Sequence, residues 1–338
     1  MGHNNNFGFL RLVLALLVLL SHSPELIDGN RSREIFTNIF HTISFGELAV
    51  DGFFLLSGYL IIQSWQRTPK LGNFVKKRIL RIYPGFIVAT LICLFIIAPL
   101  GAYPIKFPPR FDLILCLKEL FLLSPPYSPA VFLGQPHPAL NGAMWTIAYE
   151  FRCYLLVAVL GTFGLLQQRK IWLILSVVML VIYIFPGSTL RMFYPKPSYL
   201  VGSFGYLVRF LVFFCSGGCF YLWREQIKYN KGRLLVALFI LTLSLFNSNT
   251  VDFALPTLGA YLFFWIAFLE LPILKKFANY PDISYGVYLY GWPTQKLLIW
   301  YFPLISPWLL FILSAGVCVI CGWLSWTFVE KPCLRLRN

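Results

Sequence analysis

The stretch Phe7-Gly-Phe-Leu-Arg-Leu-Val-Leu-Ala-Leu-Leu-Val-Leu-Leu-Ser-His22 decides the fold. It is an apolar run of membrane-crossing character that nevertheless carries one guanidinium and one imidazole. Inside a bilayer such groups are costly, so they mark a functional position rather than a solvated face. Arg11 and His22 are eleven residues apart, and eleven steps of about 100° return to nearly the same helix face. At about 1.5 Å per residue they stand roughly 16 Å apart. One helix therefore presents a cation near one membrane surface and an imidazole near the other.

The rest of the chain has the same solvent. Of 338 residues, 58% are hydrophobic and 12% charged, and the mean hydropathy is +0.72. These values describe a polytopic membrane protein of all-α class. Apolar runs bounded by charge or by Pro and Gly predict spans at 7–24, 46–66, 79–100, 142–164, 171–187, 205–223, 233–249, 253–271, 286–302 and 308–328. Ten spans with short connections fill the chain, so a single domain over 1–338 is expected. Ser23-Pro24-Glu25-Leu26 is a poor cleavage site, and the first span reads as a permanent helix rather than a signal peptide.

The net charge of +15 is explained by where its carriers fall. Arg67, Lys70, Lys76, Lys77, Arg78 and Arg81 follow the second span, Arg169 and Lys170 the fourth, Arg224, Lys228, Lys231 and Arg233 the sixth, Lys275 and Lys276 the eighth, and Lys331, Arg335 and Arg337 the last. Alternate loops are basic, which under the positive-inside rule puts both termini in the cytoplasm. The charge is thus a topology signal, and no nucleic-acid partner is called for. The outer segment 101–141, rich in Pro around an amphipathic piece near 111–123, reads as a rim or lid or as a plain solvated connector.

Common soluble chemistries are excluded by the absence of a Gly-rich phosphate loop, HExxH or GxSxG. Cys318 and Cys321 have redox spacing but lie in an apolar run with no cation to lower a thiol pKa, and read as small buried side chains. No metal site is expected. What needs explanation is the set of ionisable residues within spans: His22, Asp51, Glu150, Arg152 and Arg209.

Asp51 and Glu150 each enter a span from the outer side, at a depth similar to His22. One imidazole with two carboxylates makes a general-base constellation, the acid orienting the ring and the ring taking a hydroxyl proton. The same groups can instead pin helices together, and a span-end histidine can snorkel to the interface. On the inner side, Arg78 and Arg81 are one turn apart at the depth of Arg11, a level suited to bidentate phosphate binding. Basic residues there also serve the positive-inside rule alone.

These residues carry a resemblance. Phe9-Leu-Arg11 followed by His22, Ala49-Val-Asp-Gly-Phe-Phe-Leu-Leu-Ser-Gly58, Lys77-Arg-Ile-Leu-Arg-Ile-Tyr-Pro84, Met144-Trp145 with Tyr149-Glu150 and Tyr154, Ser284-Tyr-Gly-Val-Tyr-Leu-Tyr290 and Val329-Glu-Lys-Pro332 resemble, in order and over the whole chain, the acyltransferase 3 family of bacterial membrane O-acyltransferases. The resemblance implies a ten-helix enzyme of the bacterial inner membrane. Such an enzyme moves an acyl group, by default acetyl, from cytoplasmic acyl-CoA to a hydroxyl of an envelope or exported glycan or glycolipid. It further implies that the family's Arg and His motif falls on Arg11 and His22, its basic pair on Arg78 and Arg81, and its acidic residue on Glu150. Where many relatives have a histidine after the Tyr-Leu-Tyr, this chain has Gly291. The expected site is then His22, Glu150 and Asp51 for chemistry, with Arg11, Arg78 and Arg81 for the acyl-CoA. A secondary transporter is the rival reading, because charged spans and the broken helix at Trp292-Pro293 also describe carriers.

Overall fold

A computed structural model describes residues 5–102, 112–129, 131–185, 202–271, 274, 277 and 280–337, and all regular structure among them is helical. Seven helices are long and apolar enough to cross a membrane: α1 (Phe7–Asp28), α3 (Phe45–Arg67), α4 (Leu71–Leu100), α6 (Gly142–Thr162), α8 (Phe204–Leu222), α10 (Ser248–Ala267) and α12 (Pro307–Arg335). Three further helices stand where spans were expected: α7 (Arg169–Ile184), α9 (Lys231–Ser244) and α11 (Ser284–Tyr301). Two short ones, α2 (Ile35–Phe40) and α5 (Leu113–Leu122), lie in connecting segments. The amphipathic piece expected near 111–123 is α5, while residues 103–111 and 130 of the proline-rich segment lie outside the described residues.

Local chemistry sets the helix ends. The α3 start is a capping box: Glu47 N–H donates to Ser44 Oγ at 3.1 Å, and Ser44 N–H donates back to Glu47 Oε2 at 3.0 Å. The α1 end is closed by Gly29 at φ 77°, whose N–H reaches Glu25 O at 2.8 Å. Ser306 caps α12, with Pro307 at its first position. Single π turns interrupt α4 at Cys93–Ile97, α10 at Leu255–Gly259 and α12 at Trp326–Glu330. Such turns are often found beside functional positions, and the α12 turn begins at Trp326, which lines the cavity described below.

The first helix is central, packed on α3, α11 and α12. The most extensive contact joins α3 to α8. There Gly58 and Gly217 let the backbones touch: a Cβ at Gly58 would collide with Phe214 O, and one at Gly217 with Leu55 O. Small residues at a crossing are how helices approach in lipid, where burial against a neighbour gains little over burial in hydrocarbon. Large apolar side chains stay exposed on the outer helices, among them Ile174 and Val181 on α7, Leu235, Val236 and Phe239 on α9, and Ile312 and Ile320 on α12. Water would penalise such faces; lipid does not.

Candidate active site

A cavity of about 410 Å³ lies between α1, α3, α4, α6, α11 and the end of α12. Arg11, Arg78, Arg81 and Glu150 all line it, as do Ser57, Tyr154, Asp282, Ser284, Tyr285 and Arg337. The three arginines expected at one level are thus gathered on one cavity. The i,i+3 spacing on α4 turns Arg78 and Arg81 to a shared face, and α1 brings Arg11 against them.

Their partners differ. Arg11 Nη1 and Arg81 Nη2 both donate to Asp282 Oδ2, at 2.7 and 3.1 Å, and Arg81 Nη1 donates to Glu330 Oε2 at 3.3 Å. Asp282 precedes α11, and its Oδ1 accepts the Ser284 hydroxyl at 2.5 Å. Burial works to raise the Asp282 carboxyl, but Arg11, Arg81 and the Ser284 hydroxyl overcome it and hold the group at about 2. Arg78 makes no ion pair among the described residues. Its Nη2 donates to Ser64 Oγ at 3.2 Å, and the guanidinium lies over the rings of Phe74 and Tyr154, 5.5 and 5.8 Å from their centroids. Glu150 accepts hydrogen bonds from Ser57 Oγ and Tyr154 Oη. Tyr154 follows Glu150 by one turn on α6, and Ser57 comes from α3.

His22 is elsewhere. Its Nδ1 lies 3.5 Å from Glu25 Oε2, one turn along α1, and its ring meets Trp292 edge to face with centroids 5.0 Å apart. His137 Nε2 stands 3.7 Å from the other Glu25 oxygen, so the carboxylate sits between two imidazoles. The segment bearing His137 is fastened to α11 at two points. Trp292 Nε1 donates to Ala139 O at 3.0 Å, and Lys296 Nζ donates to Pro136 O at 2.8 Å. Lys296 is fully buried, with its ammonium 5.3 Å from the centroid of the Phe132 ring. A buried ammonium requires such partners, and here they tie down the His137 segment.

Asp51 is also elsewhere. Arg209 donates to both of its oxygens, Nε at 3.1 Å and Nη2 at 2.8 Å, while Arg209 Nη1 reaches Glu47 at 3.2 Å. This fork between α3 and α8 answers the need for a partner that made both residues conspicuous in the sequence. Arg152 stacks on the Tyr149 ring, 4.6 Å from its centroid.

The expected pairing of His22 with Glu150 or Asp51 is therefore corrected. Glu150 faces the arginine cavity, Asp51 is engaged by Arg209, and the carboxylate beside His22 is Glu25. Similar depth did not mean a shared face, because each helix's rotation is set by packing that a depth argument leaves out. His22 is not part of the cavity lining. The two centres are nevertheless close along α11: Tyr288 lines the cavity and Trp292 packs on His22, one helical turn or about 6 Å apart. Tyr288 Oη bonds Thr146 Oγ1 at 2.6 Å and Ala143 O at 2.5 Å, and both Tyr288 and Thr146 line the cavity.

The residues missed at first are Glu25, His137, Asp282, Glu330 and Arg337. Glu25 had a signal, since i+3 from a histidine within a span is its nearest helical neighbour. Glu330 stands in the quoted Val-Glu-Lys-Pro motif, and Asp282 stands two residues before the Ser284 motif. His137 had none beyond a proline-rich segment.

Two centres result: a basic cavity able to hold an anion, and an imidazole with a carboxylate 3.5 Å from its Nδ1, which has no hydrogen-bond partner among the described residues. The family profile described as an acyltransferase domain matches residues 4–327. The chain belongs to this acyltransferase family. Among curated relatives, the acyltransferase is 26% identical over 344 residues to an O-acetyl transferase of Shigella phage Sf6, covering 98% of this chain and 96% of the relative. It is 25% identical over 370 residues to Nodulation protein 10 of Rhizobium leguminosarum bv. viciae, covering 100% of this chain and 95% of that one. No solved structure matches the acyltransferase. Membership sets it with acyl-transfer enzymes of the membrane rather than with secondary carriers.

Proposed function

We propose that this acyltransferase carries an acetyl or related acyl group from cytoplasmic acyl-CoA to a hydroxyl of an envelope or exported glycan or glycolipid, in the bacterial inner membrane. The observation that carries the reading is the gathering of Arg11, Arg78 and Arg81 with Glu150 on one cavity, whose lining residue Tyr288 lies one helical turn from Trp292, the residue packed on His22. The O-acetyl transferase among its relatives supports acetyl as the group moved. In this reading α7, α9 and α11 also span, giving ten crossings of a single domain with both termini in the cytoplasm. Basic residues in alternate loops, all on one side of the membrane, support that count.

The phosphates of the donor dock at the basic end of the cavity. Its pantetheine arm runs toward Tyr288, and Glu150, an acceptor when ionised, takes hydrogen bonds from the arm's amides. To reach His22 the thioester passes between Tyr288 and Thr146, whose hydrogen bond opens to admit it. His22, held by Glu25, takes the proton of the acceptor hydroxyl as its oxygen attacks the thioester carbonyl. The CoA thiolate leaves and receives that proton from His22, so the enzyme returns to its starting state. Asp51 acts at a distance, holding α3 and α8 in register through Arg209.

The test uses membranes containing the protein, radiolabelled acetyl-CoA, and mass spectrometry of the envelope polysaccharides. Wild type is expected to add one acyl mass per modified sugar, and His22→Ala to add none at an unchanged protein level. Normal acylation by His22→Ala refutes the base assignment, and uptake of label without transfer refutes the reaction.

A further inference from the structure

The charges on the cavity do not balance, and the imbalance is localised. Four guanidiniums, Arg11, Arg78, Arg81 and Arg337, line it. Two of them are already engaged. Arg11 and Arg81 share Asp282, and Arg81 also takes Glu330. These contacts join α1, α4, the start of α11 and the end of α12, a structural clamp. The other two are not ion-paired among the described residues, and the Nε–H groups of both Arg78 and Arg337 are buried without any acceptor. Glu150 lines the same cavity and its charge attracts Arg78, but the two form no ion pair, and its Oε1 accepts from Ser57 and Tyr154.

A buried guanidinium N–H with no acceptor costs free energy, and two cations on one small cavity repel. Burial pushes the Arg337 guanidinium down to about 10, and the charges of Arg81 and Arg78 push it the same way. At neutral pH it remains a cation. An arrangement of this kind is relieved by a ligand bearing several negative oxygens, which accepts from both forks at once.

We propose that the phosphate-binding pair of this cavity is Arg78 and Arg337, the latter supplied by the C-terminal tail, while Arg11 and Arg81 serve as the clamp that holds the cavity open. The ligand class is a diphosphate-bearing acyl donor. This rests on the acyl-CoA reading above and narrows it: of the three arginines assigned to the donor from the sequence, only Arg78 contacts the phosphates, and a fourth residue is added. The tail is then part of the site.

Calorimetric titration of the full-length protein in neutral phosphatidylcholine nanodiscs tests this, with CoA, pantetheine and inorganic pyrophosphate as probes. Arg337→Ala is expected to weaken CoA and pyrophosphate about 10-fold, the size of one lost charge-assisted hydrogen bond, and to leave pantetheine unchanged. Arg337→Lys is expected to recover only part of the loss, because an ammonium lacks the fork. Equal affinity of wild type and Arg337→Ala for pyrophosphate overturns the proposal. If pyrophosphate responds to Arg337 but CoA does not bind at all, the phosphate pair stands and the acyl-CoA reading fails instead. In nanodiscs containing phosphatidylglycerol, loss of Arg337-dependent pyrophosphate binding is expected only if a lipid headgroup takes the site, and that result overturns the donor assignment.

Discussion

Replacing Asp282 by Asn removes one negative charge from between Arg11 and Arg81 while keeping its shape. The magnitude follows from the carboxyl's titration. Its ordinary value is 3.8 and its folded value about 2, a gap worth about 2.5 kcal/mol at about 1.4 kcal/mol for each tenfold. The folded pKa lies below the unfolded one, so this stabilisation is complete above about pH 4 and is lost as pH falls toward 2. Breaking a buried ion pair costs about 3 to 5 kcal/mol, and with the Asp282 side chain 18% exposed the lower figure applies. Both routes give a loss of about 2.5 to 3 kcal/mol at neutral pH, or about 5 °C in melting temperature for a chain of this size. Intrinsic tryptophan fluorescence in detergent, recorded from pH 7 to pH 2, is the assay. Asp282→Asn is expected to melt lower than wild type at pH 7 and to converge on it near pH 2. A variant that melts with wild type at neutral pH refutes the clamp, as does one whose deficit persists undiminished at pH 2.

Further outcomes follow from the other centre and from the α3 and α8 contact. Glu25→Gln keeps the side-chain shape but removes the charge beside His22, and is expected to lower turnover by about 10-fold or more with the donor KM unchanged; steady-state kinetics at varied acetyl-CoA checks it. Gly58→Ala places a methyl on the Phe214 carbonyl, and should cost about 1 to 3 kcal/mol through displaced backbone, read as reduced folded protein in membranes. Unchanged yield and melting in that variant would mean that the helices are not in backbone contact there.

How much of this was legible in the sequence depends on whether periodicity or rotation was being asked. Arg78 and Arg81 could be paired from spacing alone, since three residues is nearly one turn of any helix. Arg11 and His22 could be placed at opposite ends of one helix for the same reason. The cluster on the cavity was foreshadowed by the depth of the three arginines. Which carboxylate met which cation was not. Asp282, Glu330 and Arg337 lie at the ends of α11 and α12, far along the chain from Arg11 and Arg81, and no local rule joins them.

The chain by itself determined that lipid is its solvent, that its structure is helical, and that charged side chains within spans mark the chemistry, because hydrophobicity and helical period are local properties. Tertiary packing alone decided that Glu150 faces the arginines instead of His22, that Asp51 belongs to Arg209, and that Glu25 and His137 flank one another beside the imidazole. The reason is physical: hydrocarbon offers every helix face nearly the same environment, so the rotation of each span is fixed by close approach at residues such as Gly58 and Gly217 and by ion pairs that form only once distant segments meet.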